Sequence, residues 1–314
     1  MNLLSYFPQN PKTRLYFSVL GSTIICGLLT LLGIYGIGSY GMYLFVLIPL
    51  LMGISATWLY TFGREVAYKH KAAFLTLLVS LLLMLAFAIE GLICIGMASP
   101  FLLLFLWTGS YIGYGISRKK MVHGQAVILF LFLVTPLTAF VETTIPPVVQ
   151  PVTTSIVIKA SPEEVWKNVV EFPELKAPTE FIFKTGIAYP INAVIEGRGV
   201  GAVRHCNFTT GSFVEPITVW DEPRLLKFDV QEQPAPMKEL SFYDIDAPHL
   251  HDYFVSKRGQ FKLTRLPDGN TLLEGTTWYF HNIKPALYWS LWSKYIIHKI
   301  HMRVLEHIKE NSEG

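Results

Sequence analysis

Long apolar runs fill the first 142 residues, whereas short runs of alternating apolar and polar positions fill the rest. No charged residue occurs from Leu15 to Gly63, and this run is too long for one membrane span of about 20 residues. Further apolar runs follow it, and we place breaks at the glycine cluster 33–41 and at Ser99-Pro100. The pattern therefore predicts five transmembrane helices. The predicted spans are 16–37, 42–62, 73–96, 99–117 and 124–141.

The connections between these spans differ in their basic residues. Basic residues precede the first span, and they also lie between the second and third spans and between the fourth and fifth: Lys12, Arg14, Arg64, Lys69, Lys71, Arg118, Lys119 and Lys120. Such residues favour the cytoplasmic side. The pattern predicts a cytoplasmic N-terminus and an extracytoplasmic position for everything after residue 142. This prediction depends on 124–141 crossing the membrane, because four spans would leave the C-terminal half in the cytoplasm.

Glu90 is the one acidic residue inside a predicted span. A carboxylate within the bilayer is a candidate functional group. We interpret Glu90 instead as a residue near the outer end of its helix, where it reaches interfacial water, and its role stays open.

The polar half begins with a linker and a short strand–helix unit. The nine residues 143–151 contain three prolines and predict a stiff, extended linker. Alternation from Val152 to Lys159 predicts a strand. Ser161, Pro162 and Glu164 then predict a helix start, because a serine cap, a proline in the first turn and an acid three residues after the cap favour one. A second short helix is expected at 174–177.

Three strands follow, joined by turns, at 200–208, 212–220 and 225–231. Their apolar faces coincide, and the same face receives Arg204 and Glu215. A two-residue loop at 210–211 predicts that Cys206 pairs with Glu215, which makes Arg204 a diagonal neighbour of Glu215.

The chain ends with a hairpin at 257–266 and 271–280 and a long helix at 285–309. An antiparallel sheet with one apolar face must bury that face, and this helix is the one element large enough to cover it. The predicted fold class is an α-helical transmembrane N-terminal half of five helices plus an α+β C-terminal domain. The predicted boundaries are 1–142 for the transmembrane domain, 143–151 for the linker and 152–314 for the α+β domain.

Charge is low and unevenly distributed. Only 16% of the residues are charged, against about 25% in an average soluble domain. The net charge is +5 over residues 1–142 and −2 over residues 143–314. The pattern excludes a single soluble domain and intrinsic disorder, and it predicts no nucleic-acid binding, because the polar half is slightly acidic.

Motifs for metal or cofactor chemistry are not found in the sequence. The three cysteines are scattered and predict neither a disulfide framework nor a cysteine zinc site. The chain contains no phosphate-binding glycine loop, no G-x-S-x-G and no H-E-x-x-H. We therefore predict no cofactor and no metal.

Three stretches of the polar half carry a resemblance to a known fold: TTSIVIKASPEEVWKNVVEF, GRGVGAVRHCNFTTGSFVEPITVWDEPRLLKFDV and WSKYIIHKIHMRVLEHIK. Over about 150–312 the chain resembles the helix-grip fold of the START-like, or SRPBCC, superfamily, which includes polyketide cyclase/dehydrase-like proteins. The last two stretches look like a membrane-anchored bacterial subgroup. The resemblance implies a curved sheet gripping the C-terminal helix, an apolar cavity between them and a place in a bacterial inner membrane. It does not imply an enzyme, because the superfamily contains binders, transfer proteins and cyclases.

The candidate ligand anchor is Arg204 with Cys206 and Glu215, on the face that would line the cavity. A few convergent polar groups in an apolar pocket are typical of small-molecule sites. The alternative is a self-satisfied buried ion pair, with Cys206 as packing. The expected cavity lining is Phe208, Phe213, Phe228, Trp289, Trp292 and Ile296.

Histidines outside this face are weaker candidates. We expect His249 and His251 in a solvated loop that closes the cavity mouth, with a metal pair as the alternative. His298 and His301 are neighbours on the last helix, and we interpret them as hydrogen-bonded structural residues. No catalytic residue is predicted.

The predicted function is binding of a hydrophobic small molecule or lipid by a membrane-tethered START-like domain. Two alternatives stay open. One is a cyclase- or dehydrase-type enzyme that uses Glu215, His249 or His251 as acid or base, and the other is a ligand-free interaction module of an envelope complex. The expected partners are the lipid bilayer and the hydrophobic ligand, and the sequence identifies no protein partner.

Overall fold

The computed structural model describes residues 7–118 and 124–314, so the basic residues Lys119 and Lys120 lie outside the described residues. Contacts divide the chain into two units. The helical unit comprises Met1–Pro146, Leu240–Pro248 and Ile283–Pro285. The sheet unit comprises Pro147–Glu239, His249–Asn282 and Ala286–Gly314. Two short segments of the C-terminal half therefore belong to the helical unit.

The helical unit contains helices made almost wholly of apolar residues. They are α1 (Pro11–Leu31), α2 (Ile48–Thr61), α3 (Lys71–Ala86), α4 (Leu92–Arg118) and α5 (Gly124–Thr143). α1 continues as a π-helix over Leu32–Ile37, and a second π-helix over Tyr43–Leu47 leads into α2.

Four of these helices are long and apolar enough to cross a membrane, counted over the described residues. α3 is apolar but has only 16 residues, a length of about 24 Å against a hydrocarbon core of about 30 Å. The apolar helical character of this half is confirmed, whereas the predicted count of five spans is not.

The division between α3 and α4 differs from the predicted one. The sequence places a break at Ser99-Pro100, but α4 continues through Pro100, and the break lies at 87–91. Ala88 has φ +53°, a left-handed conformation that ends a helix of ordinary residues. Proline is tolerated inside apolar helices where neighbouring groups satisfy the freed backbone. Glu90 therefore lies in the connection between two helices, where it is buried.

α2 and α4 approach each other closely through glycines. A Cβ atom on Gly53 would lie 2.2 Å from a carbonyl oxygen of α4, and one on Gly109 would lie 2.1 Å from a carbonyl oxygen of α2. The hydroxyl oxygens of Thr57 and Ser110 are 2.6 Å apart across the same contact. Small residues that let helix backbones approach are typical of helix pairs in membranes.

The two ends of the helical unit have different polar contacts. At one end, the Arg14 side chain donates to the carbonyl oxygens of Leu59 and Phe62, at 2.7 and 2.6 Å. This places the start of α1 beside the end of α2. At the other end, the Glu142 carboxylate at the end of α5 accepts from the Met42 N–H at 2.8 Å. The end of α5 therefore lies beside the connection between α1 and α2.

The sheet unit is built on a seven-stranded sheet with the order β1-β7-β6-β5-β4-β3-β2, in which all neighbours are antiparallel. The strands are β1 (Gln150–Ile158), β2 (Pro190–Glu196), β3 (Val203–Phe208), β4 (Gly211–Asp221), β5 (Leu225–Asp229), β6 (Phe254–Arg265) and β7 (Thr271–His281). The helices are α6 (Pro162–Val170), α7 (Phe181–Lys184) and α8 (Ala286–Glu313). The predicted combination of a curved antiparallel sheet and a long C-terminal helix is confirmed.

Local signals correctly indicate most of these elements. The Ser161 hydroxyl accepts from the Glu164 N–H at 3.4 Å and caps α6, with Pro162 as its first residue. β2 was not predicted, because PINAVIE shows no clear alternation of apolar and polar positions. The short helix expected at 174–177 is absent there, and a helical turn forms instead at α7.

The core of the sheet unit joins the apolar face of the sheet to α6 and α8. It includes Trp166 of α6, Phe228 and Phe261 of the sheet, and Leu305 and Ile308 of α8. The first half of α8 turns Trp289, Ser293 and Ile297 inward. The predicted stripe contains Trp289 and Ile297 together with Trp292 and Ile296, and the last two side chains are only half-buried.

Candidate functional site

Arg204 and Glu215 lie directly opposite each other on β3 and β4. The sequence predicts a diagonal relation, with Cys206 opposite Glu215, but Cys206 pairs with Phe213. The hairpin loop is 209–210 rather than 210–211, because Phe208 already pairs with Gly211. Moving the loop by one residue shifts the register by two, which changes partners but keeps every side chain on its predicted face.

The two charged side chains form a buried ion pair. An Nη1 hydrogen of Arg204 is donated to Glu215 Oε2, and the exposed fractions of the two residues are 2% and 6%. The Arg204 Nε–H also donates to the carbonyl oxygen of Val170 at the end of α6, at 3.2 Å. Cys206 lies two residues further along β3 on the same face of the sheet, where the charge of Arg204 acts on its thiol. One sheet and one helix end therefore fix the position of the arginine.

Aromatic rings from three separate segments surround the guanidinium. Its Cζ lies 5.4 Å from the ring centroid of Phe172, 5.5 Å from that of Phe228 and 5.6 Å from that of Phe261. A cation near an aromatic face is attracted by the ring quadrupole, and more strongly where water is excluded. The arginine is therefore stabilised in the apolar core by three rings as well as by its carboxylate.

Burial decides the protonation of the other two groups. Burial raises the pKa of Glu215, and the adjacent Arg204 opposes that rise. Burial also raises the pKa of the Cys206 thiol to about 12, with Arg204 opposing the change. A thiol with so high a pKa is protonated at neutral pH and is a poor nucleophile. Cys206 is therefore suited to packing and hydrogen bonding rather than covalent catalysis.

The aromatic residues expected to line the cavity fall into two groups. Phe208 and Phe213 have ring centroids 4.8 Å apart and pack against the core cluster that contains Phe228. Trp289, Trp292 and Ile296, on the first half of α8, are not members of that cluster. The structure thus brings the anchor residues together with the phenylalanines of the expected lining.

The two loop histidines have different surroundings. His249 is buried in a short 3₁₀ helix, Pro248–Leu250, whereas His251 is exposed. His249 Nε2 lies 3.8 Å from Oε1 of Glu239, whose carboxylate is also buried. The description of a solvated loop therefore fits His251 but not His249. Sequence reasoning missed Glu239, because it lies in an irregular stretch with no periodic pattern.

A chain of polar groups joins α8 to the first and last strands of the fold. His298 Nδ1 lies 2.9 Å from the Thr154 hydroxyl, which is 3.2 Å from His301 Nδ1. His301 Nε2 lies 2.8 Å from the Thr277 hydroxyl. Burial, with a smaller contribution from His298, lowers the pKa of His301 to about 4. His301 is therefore a neutral residue hydrogen-bonded between helix and sheet.

Comparison with solved structures gives likenesses that cover about half of the chain. A protein from Nitrosospira multiformis is 18% identical over 52% of this chain and 96% of its own, with a TM-score of 0.34. A Thalictrum norcoclaurine synthase point mutant is 12% identical over 53% of this chain and 95% of its own, also with a TM-score of 0.34. The Aha1 dimer from Colwellia psychrerythraea is 16% identical over 52% and 96% of the two chains, with a TM-score of 0.31. What these proteins bind or catalyse is a property of those proteins. No protein-family model matches this chain, and no curated protein sequence is similar to it.

Proposed function

We propose that this chain is a membrane protein whose sheet unit binds a hydrophobic small molecule or lipid between the sheet and α8. Arg204 and Glu215 would orient the polar end of the ligand, and the phenylalanines around them would contact its apolar part. The observation that carries the proposal is the buried Arg204–Glu215 pair on the apolar face of the sheet, surrounded by three aromatic rings.

Stability alone gives little reason for such a pair. Removing two charges from water costs several kcal/mol per ion, and apolar residues of similar volume are often as stabilising as a buried ion pair. A ligand site, by contrast, needs a few fixed polar groups in an apolar surrounding to set orientation. Bonds to Val170 and Glu215 hold the guanidinium in one position, which favours orienting a ligand over general packing.

We further propose that all five apolar helices cross the membrane, with the N-terminus in the cytoplasm and the sheet unit outside, at a bacterial inner membrane. The contact of Glu142 with Met42 supports a crossing by α5. It places the end of α5 beside the connection between α1 and α2, whereas Arg14 lies at the opposite end of α1. Arg118 pairs with Glu65 at 2.7 Å, which gathers the basic connections at the other end. Basic residues at one end only are typical of a cytoplasmic side.

Native mass spectrometry of the full chain, purified in detergent without added ligand, tests the binding function. We expect the wild type to carry a bound mass that the double variant Arg204→Met/Glu215→Leu loses. This variant removes both charges together, because a single removal would leave one charge buried and unpaired. The matched control is Arg198→Met/Glu222→Leu, which removes an exposed ion pair of the same unit with N and O atoms 3.0 Å apart. The control should retain the mass.

The possible results separate the alternatives. Equal retention by the two folded double variants would contradict the anchor role of Arg204 and Glu215. A wild type that carries no such mass, and takes up none from offered cellular lipids, would contradict the binding function and favour an interaction module. A ligand that is chemically converted by the wild type would favour the cyclase- or dehydrase-type enzyme.

A further inference from the structure

A basic cavity opens at the start of α3, in the helical unit and separate from the residues discussed above. Its volume is about 550 Å³. The lining residues are Ala67, Tyr68, Lys69, His70, Lys71 and Phe74. Among the described residues no acidic side chain contributes to this lining, which presents positive charge, polar groups and apolar surface.

The two lysines of the cavity are held without acidic partners. Lys69 Nζ lies 4.7 Å from the ring centroids of both Tyr111 and Tyr114 of α4. Lys71 is exposed as the first residue of α3. Within the described residues, no ion pair joins either lysine to a carboxylate, and Glu65, the acid nearest in sequence, pairs with Arg118. Both charges are therefore available to an anion.

The N-terminus of α3 adds to this positive potential. α3 has 16 residues, no side chain caps its first turn, and that turn contains no acidic residue. The His70 side chain at the cap position is instead directed to Ser110, with Nδ1 and Oγ 2.7 Å apart. The Lys71 N–H donates to the carbonyl oxygen of Tyr68 at 3.2 Å, so the helix start acts through its dipole, whose positive end favours an anion such as a phosphate.

An apolar track leads away from the cavity along the same helix. Phe74, Leu78 and Leu82 are spaced by four residues and thus share one face of α3. Their exposed fractions are 41%, 53% and 56%. A ligand with an anionic head and an apolar tail fits this combination, whereas a soluble anion would make no contact with these three side chains. Basic pockets among membrane helices on the cytoplasmic side are a known setting for anionic lipid headgroups.

We propose that this cavity binds the phosphate headgroup of an anionic phospholipid, with Lys69, Lys71 and the start of α3 as its partners. One acyl chain lies along Phe74, Leu78 and Leu82. Because α3 is shorter than the hydrocarbon core, the bilayer would thin around it and bring headgroups towards its first turn. This site does not depend on whether the sheet unit binds a ligand.

The test is a native mass-spectrometric titration of the full chain, delipidated in detergent, with phosphatidylglycerol and with phosphatidylcholine. The variant Lys69→Gln/Lys71→Gln should bind phosphatidylglycerol about 10- to 30-fold more weakly than the wild type, from about 1 kcal/mol per lysine. Phosphatidylcholine binding should not change. The matched control, Arg64→Gln/Arg118→Gln, removes two positive charges from the same end without touching the cavity lining, and its affinity should stay within about twofold of the wild type.

Two further measurements keep the proposal open to contradiction. Lys71→Glu, at an exposed position, replaces the double variant if that variant unfolds, and it should lose at least as much affinity. Inorganic phosphate at millimolar concentration should not displace the lipid; displacement would indicate a site for soluble phosphate instead.

Equal losses of lipid affinity in the lysine and arginine variants would indicate diffuse attraction only and would overturn the proposal. Retention of the sheet-unit mass in the lysine variant would show that the two sites are independent.

Discussion

The helical unit and the sheet unit differ in the large apolar side chains that they leave exposed. In the helical unit, large apolar residues such as Leu129 and Phe140 of α5 are exposed, at 62% and 65%, while small hydroxyl residues such as Thr57 and Ser110 are buried. In the sheet unit, large apolar residues such as Leu226 are fully buried. The outer surface of the helical unit is therefore suited to an apolar solvent.

This difference shows what each unit uses for stability. In water, the burial of apolar surface drives folding. In lipid, the surroundings are as apolar as leucine, so helices associate through close packing and hydrogen bonds, and small residues occupy the contacts. The two units also hold buried arginines differently. Arg204 of the sheet unit pairs with a carboxylate, whereas Arg14 of the helical unit donates to backbone carbonyl oxygens.

The largest expected effect comes from breaking the buried ion pair. Arg204→Met alone leaves the Glu215 carboxylate buried without its partner, at a cost of about 3–5 kcal/mol in the free energy of unfolding. For a unit of this size that corresponds to a fall in Tm of roughly 10 °C. Thermal unfolding followed by tryptophan fluorescence measures it, because Trp166 and Trp220 lie in the sheet unit with ring centroids 5.7 Å apart. Arg204→Met/Glu215→Leu should recover most of the loss, and a double variant less stable than the single one would contradict this account.

Matched leucine substitutions test the contrast between the two interiors. Leu226→Ala should cost about 2–5 kcal/mol, because it leaves a cavity in the core of the sheet unit. Leu129→Ala removes the same atoms from an exposed position on α5 and should change the free energy of unfolding by less than about 0.5 kcal/mol. The midpoint of thermal unfolding of each full-length variant measures the difference. A similar loss at both positions would mean that α5 packs against a protein partner rather than lipid.

The burial of His301 gives the sheet unit a pH dependence. The folded-state pKa is lowered to about 4, below the unfolded value of about 6.5. The unfolded state therefore binds a proton first as pH falls, so stability is constant above about pH 6.5 and decreases between about pH 6.5 and 4. The loss amounts to at most about 3 kcal/mol. Tm values at pH 7.5 and 4.5 measure it, and His301→Gln should flatten the difference. An unchanged pH dependence in that variant would assign the effect to other groups.

The smallest expected effect comes from the glycine contact of the helical unit. Gly109→Ala places a methyl group against a backbone oxygen of α2, and we expect a loss of about 1–3 kcal/mol. Gly115→Ala, on the same helix, meets nothing within 4 Å and should be neutral or slightly stabilising. Thermal aggregation of the detergent-solubilised variants measures both changes. Equal behaviour would mean that the close approach of α2 and α4 contributes little.

Local interactions explain why much of the fold was predictable. The Ser161 cap, the alternation of β1 and the apolar stripe of α8 depend on residues a few positions apart, and each is visible in the sequence. The faces of β3 and β4 were predicted correctly for the same reason. The exact partners were not, because a two-residue loop moved by one position along the chain leaves the faces unchanged. Likewise, a break between two apolar helices is only weakly marked when both sides are apolar, as at 87–91.

The sequence by itself determined that this chain joins an apolar helical half to a sheet with a covering helix, and that Arg204 and Glu215 share the apolar face. Only the tertiary structure decided that they are direct partners and that Phe172, Phe228 and Phe261 surround them, because these groups are far apart along the chain. The same holds for the pairing of Glu239 with His249, and for the basic cavity in which Lys69 packs on α4. Periodicity depends on neighbours in sequence, whereas a site depends on neighbours in space.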